Sequence, residues 1–121
     1  YTNTESSAAS DVYKRQEYNL AITLRNQDHY AGARDLQEQV LETRTRVLGL
    51  EHPDTLTSTS DLAETFGDLG DHARARDLLE QALEARARVL GPEHPDTLRS
   101  KDLLDAVLAE AVEEAAESSA P

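Results

Sequence analysis

The chain has no cysteine, no methionine and no tryptophan, and carries only 4 tyrosines and 1 phenylalanine in 121 residues. Without cysteine there is no disulfide, no thiolate metal site and no cysteine nucleophile. No apolar run approaches the roughly 20 residues that a membrane span requires. Positive charge is scarce as well, with 12 Lys plus Arg against 24 Asp plus Glu and a net charge of −12. A chain so charged repels phosphate backbones, whose binding draws its affinity from released counterions. Nucleic acid and anionic membrane are therefore not expected as partners, and a cytoplasmic location is the expectation that remains.

Catalytic signatures are missing too. There is no nucleophile elbow, no phosphate-binding glycine loop and no clustered carboxylate pair, so neither an enzyme nor a bound cofactor is expected. His29, His52, His72 and His94 lie far apart in sequence, without the short paired spacing of zinc ligands, and no metal site is expected from them.

What is present is repetition. VLGLEHPDTL at residues 47–56 returns as VLGPEHPDTL at 89–98, so that His52 and His94 stand 42 residues apart. In that register 23 of 39 positions are identical between Tyr18–Leu56 and Ser60–Leu98, where unrelated segments share about 2 or 3. Repeats of this length are stacked supersecondary units whose shared product is a surface, which points to binding. Hydrophobic content of 38% with 30% charged residues fits a helical repeat rather than a disordered chain.

Each repeat reads as a helix hairpin. In unit two, Leu56, Leu62, Ala63, Phe66 and Leu69 fall at helical spacing, and Ala75, Leu78, Leu79, Ala82, Leu83, Val89 and Leu90 do so again. Gly70 between them suits a positive φ, and Asp71 suits an N-cap. Unit one follows with Leu20, Ala21 and Leu24, then Ala33, Leu36, Val40, Leu41, Val47 and Leu48, but has Gln27-Asp28-His29 in place of Leu69-Gly70-Asp71. Gly49 and Gly91 stop the second helices. Pro53 and Pro95 suit the first turn of the next helix, where Asp54 and Asp96 meet the positive end of its dipole.

The fold class expected is all-α, an α-solenoid of antiparallel helix hairpins with two repeats and a capping helix. The segments are a leader at 1–16, unit one at 17–56, unit two at 57–98, a half repeat or capping helix at 99–112, and an acidic disordered tail at 113–121. The leader is Ser/Thr/Asn-rich, and SSAASDVYKRQ at Ser6–Gln16 resembles translated adapter sequence. It is read as non-native or disordered and set aside.

These residues resemble the tetratricopeptide repeat (TPR) family, in its 42-residue kinesin-light-chain-type form. The signature of a Leu-Ala pair, an aromatic or Leu, Gly-Asp and two spaced alanines is matched by Leu62, Ala63, Phe66, Gly70, Asp71, Ala75 and Ala82. Unit one matches at Leu20, Ala21, Leu24, Ala33 and Val40, and the junction at Arg44–Thr55 and Arg86–Thr97 with Gly91 and Pro95. The resemblance implies a right-handed superhelix whose first helices line a concave groove for a peptide or helix of a partner protein. Its groove positions fall on Tyr18, Ile22 and Arg25, on Thr57, Ser60, Asp61, Glu64 and Asp68, and on Arg99 and Asp102. Family members that grip a chaperone carboxyl terminus present Lys and Asn there, so chaperone-tail binding is not implied.

Two local motifs have plainer readings. HPD on its own resembles the J-domain tripeptide, yet here it recurs in repeat register and lacks a basic helix before it. Arg44/Arg46 and Arg86/Arg88 lie late in their helices, where positive charge offsets the dipole, and read as a structural face rather than a phosphate site. The expected function is a protein–protein interaction module. One alternative is a set of C-terminal sensor or regulatory repeats of a larger bacterial signalling protein with an upstream nucleotide-binding domain. The other is a structural repeat that self-associates weakly through its exposed end near Leu20 and Leu24.

Overall fold

The computed structural model describes residues 15–25 and 29–118. Among them the chain forms five helices and no strand: α1 (15–25), α2 (Tyr30–Leu48), α3 (Pro53–Asp68), α4 (His72–Leu90) and α5 (Pro95–Ser118). Consecutive helices pack as hairpins, and α3 also touches α5, so the first helices of successive units lie beside one another. The all-α repeat architecture is as the periodicity implies.

The turn within unit two forms as its residues dictate. Gly70 adopts φ of 84°, in the left-handed region, where an added Cβ would be strained although nothing lies within 4 Å of it. The amide of Asp71 returns to the Phe66 carbonyl at 2.8 Å, and its carboxylate accepts from the Arg74 amide at 3.2 Å, capping α4. In unit one the His29 amide makes the corresponding bond to Leu24 at 2.7 Å, but His29 gives α2 no side-chain cap. Gln27 and Asp28 lie outside the described residues.

Between units, Gly49 and Gly91 close their helices at φ of 94° and 97°, and the two histidines then take a role that the sequence reading left unassigned. His52 Nδ1 accepts from the Asp54 amide and His94 Nδ1 accepts from the Asp96 amide, each at 3.1 Å. Each histidine is thus the N-cap of a helix whose first residue is proline. This local duty accounts for the recurrence of HPD.

The core lies where units meet. Leu62, Ala63, Phe66, Ala75, Leu79 and Val107 are buried together, with Leu41, Leu78, Leu103 and Leu104 packed against them. Burying one such leucine contributes about 2 kcal/mol. Alanine recurs at Ala21, Ala33, Ala63, Ala75 and Ala82, all 0% exposed, because only a small side chain lets helix backbones approach this closely.

Arginine locks the units in series. Arg86 on α4 donates to Ser100 Oγ at 2.8 Å and to the Asp96 carbonyl and Ser60 Oγ at 3.4 Å. Arg44 on α2, one repeat earlier, donates to Ser58 Oγ at 2.7 Å and the Asp54 carbonyl at 3.1 Å, and lies 4.8 Å from the centroid of the Tyr18 ring. Each second helix is thereby pinned to the first helix of the next unit. Arg88 meets Glu51 and Glu84, and Arg46 stands in the last turn of α2.

The end of the chain departs from the sequence expectation. The capping helix starts at Pro95 rather than 99 and runs to Ser118, so residues 113–118, assigned to a disordered tail, are helical. Alanine and glutamate favour helix strongly, and His72 on α4 holds this stretch through Glu114, with Nε2 at 2.7 Å, and Glu110, with Nδ1 at 3.9 Å. At the other end, Arg15 and Gln16, placed in the leader, belong to α1; the rest of the leader lies outside the described residues. The helices of unit two span 53–90, starting four residues ahead of the boundary drawn at 57.

Candidate interaction surface

Ten positions on the first helices were singled out from the sequence, and six of them come together in a charged row across α1, α3 and α5. Tyr18 donates to Asp61 Oδ2 at 2.7 Å. Arg25 bonds Asp68 at 2.9 Å and Glu64 at 3.2 Å, and Arg99 stands 3.8 Å from the other oxygen of Glu64. Three helices from three successive units therefore share one polar surface, with Glu64 at its centre. The register that placed first helices side by side explains this, since each pair is separated by about one repeat of chain.

The other four positions are less uniform. Ile22 and Thr57 are half-buried, Thr57 Oγ1 donates to the Pro53 carbonyl at 3.0 Å, and Asp102 is exposed. Ser60 is buried and accepts from Arg86, which withdraws it from the surface.

Burial governs the electrostatics of the row. It pushes the Tyr18 hydroxyl up to about 12, with the hydrogen bond to Asp61 adding to the effect, so Tyr18 is neutral at physiological pH. Burial likewise raises Glu64 above the ordinary carboxylate range; Arg25 opposes the shift, and Asp61 reinforces it. Burial lowers the Arg86 value, with Asp96 opposing, and the guanidinium keeps its charge.

The sequence reading missed two residues that support this surface. Arg44 was placed on a structural face but not over Tyr18. Gln37, on α2, is buried beside Tyr18, Val40, Ser58 and Asp61. Its signal was present in the register, where unit two has Leu79 at the same place. Elsewhere, among the described residues no group of three His, Asp or Glu side chains is arranged to hold a metal ion, and no helix is long and apolar enough to cross a membrane.

A stack of helix hairpins tied by repeated interunit bonds, with a polar face built from its first helices, defines a helical repeat scaffold. The tetratricopeptide repeat profile matches residues 16–88, and the chain belongs to that family. Kinesin-light-chain-type TPR-like repeats of Podosopora anserina share 30% identity with it at a TM-score of 0.75, over 82% of this chain and 47% of theirs. A variant of that protein gives 29% identity and a TM-score of 0.73, over 87% and 50%. BtubC from P. vanneervenii, at 20% identity and a TM-score of 0.76 over 84% and 40%, shares the fold. The chain thus spans about half or less of the length of these structures. No curated protein matches it.

Proposed function

We propose that this chain is a protein–protein interaction module that takes a basic, extended peptide segment of a partner protein on the face of α1, α3 and α5, in the concave groove that TPR arrays present. The carrying observation is the row that runs from Tyr18–Asp61 through Arg25–Glu64–Arg99, because it makes one continuous polar track from three units. Asp61, Glu64, Asp68 and Asp102 outnumber Arg25 and Arg99 along it, and the whole chain carries −12. A cationic ligand is complementary to such a track, and charge complementarity sets partner choice and association rate.

The test is selection of a random peptide library on the 121-residue chain, followed by titration of an enriched peptide against the Glu64→Gln/Asp68→Asn double variant. Enrichment of Lys and Arg is expected, with affinity falling about tenfold in the variant and less sharply dependent on salt. Unchanged affinity in a variant that keeps its helical signal would remove the face from the binding site.

A second reading, self-association through the unit-one end, has one observation behind it. Leu20 is 50% exposed, whereas Leu62, its register equivalent, is 3% exposed beneath α2 and α4. A second copy would cover Leu20, and sedimentation showing only monomer at high micromolar concentration would dismiss that reading.

A further inference from the structure

One buried group has no part in the charged row or in the core. Gln37 is 3% exposed, and neither its Oε1 nor its Nε2 has a hydrogen-bond partner. An unpaired buried amide is costly, and a leucine fits this position, as Leu79 at 0% exposure demonstrates one repeat later. Gln37 lines a narrow cleft together with Tyr18, Val40, Ser58 and Asp61, and as it stands that cleft has no room for a water molecule. Tyr18 forms one wall of it, with its hydroxyl on Asp61 and its ring beneath Arg44. The equivalent positions in unit two are Ser60, Leu79, Ala82, Ser100 and Leu103. The amide, the tyrosine and the carboxylate are all confined to the unit-one cleft.

We propose that this cleft is a side pocket for one carboxamide side chain, Asn or Gln, of the bound peptide, admitted when Tyr18 swings off Asp61. The inference rests on the reading of the α1–α3–α5 face as peptide-binding. The choice of group follows from the donors and acceptors on offer. Gln37 presents an acceptor and a donor in one plane, and Asp61, once released by Tyr18, presents a further acceptor. A carboxamide answers all three: its oxygen accepts from Gln37 Nε2, and its two N–H groups reach Gln37 Oε1 and Asp61. A guanidinium or ammonium carries only donors and leaves Gln37 Nε2 unpaired. A carboxylate is repelled by Asp61. An apolar side chain leaves Gln37 unpaired and Asp61 without its donor, and sites built to bond a polar group reject analogues that lack it.

The direct test is a nuclear magnetic resonance titration of the whole chain with N-acetylasparagine methylamide, and in parallel with the leucine and aspartate analogues. The Gln37 side-chain amide and Tyr18 ring signals are expected to shift and approach saturation with the asparagine compound, with the other two about tenfold weaker or worse. The Gln37→Leu variant, which places in unit one the residue that unit two already accommodates, is expected to keep its fold and lose the response. No shift, or an equal shift with the leucine compound, overturns the pocket.

The peptide selection described above separates this inference from the reading beneath it. Peptides enriched on the native chain are expected to share Asn or Gln at a fixed place, while those enriched on Gln37→Leu keep their basic residues and lose that preference. Basic peptides without a fixed carboxamide overturn the pocket and leave the face standing. If no peptide is enriched, the face reading falls, and the asparagine titration alone then decides whether the cleft takes a carboxamide.

Discussion

Arg44 and Arg86 occupy one place in two successive repeats, yet their surroundings differ. Arg86 is 7% exposed and ends on two serines and a carbonyl, while Arg44 is half-buried, ends on one serine and a carbonyl, and covers an aromatic ring. The difference begins with a single substitution in the repeat, Tyr18 for Ser60, and continues inward with Gln37 for Leu79. Unit two is thus an apolar hairpin sealed by a buried guanidinium. Unit one exchanges part of that apolar packing for polar groups gathered beside the shared face. Matching joints between units and divergent interiors teach that the 42-residue period preserves the way units join, leaving the space between first helices free to vary.

The comparison is broken most severely by moving the unit-one residue into unit two. Leu79→Gln removes a fully buried leucine from the core and leaves an amide without partners, and is expected to cost about 3 kcal/mol in urea unfolding. Next, Arg86→Ala should cost about 2 kcal/mol, because Ser60 and Ser100 lose their donor in a buried setting, against about 1 kcal/mol for Arg44→Ala. Equal losses at the two arginines would show that burial does not distinguish the two locks.

The reverse exchange sharpens the comparison. Gln37→Leu is expected to stabilise the chain by about 1 kcal/mol, since it removes an unpaired amide and makes unit one match unit two. A loss of stability instead would mean that the amide is satisfied in solution. The smallest effect is expected at Glu64, and it depends on pH. Its folded-state pKa is raised, so its ionised form lowers stability at neutral pH, and that penalty disappears as pH falls through the folded value towards the ordinary value of 4.5. Glu64→Gln should therefore be slightly more stable than the native chain at pH 7 in thermal melts, and the gap should close on acidification. A gap that widens on acidification would contradict the sign.

Much of the architecture was legible because helix ends are written in local chemistry. Gly70 and Asp71, and Pro53 and Pro95, each act within one turn of their own position, and the structure shows them turning, capping and starting helices as read. The length of α5 was less legible. Whether an Ala/Glu stretch frays or stays helical depends on what it packs against, and here His72 of another helix reaches Glu110 and Glu114. The N-cap role of His52 and His94 was local as well, but histidine is an uncommon cap, and the segment was already explained by proline and aspartate.

The candidate face was only half legible. The register placed Tyr18, Arg25, Asp61, Glu64, Asp68 and Arg99 on first helices, and their contacts follow from stacking those helices. It also placed Ser60 there, yet α4 swings Arg86 onto that serine and removes it from the surface.

The sequence by itself determined the period, the hairpins, their joints and the family, because these rest on propensities, glycine conformations and apolar spacing that act over a few residues. Only the tertiary structure decided which charges pair, that Tyr18 and Gln37 line one cleft, and that one arginine is buried where its repeat partner is not. Those outcomes depend on distances between residues one repeat apart, and the packing of whole helices sets them.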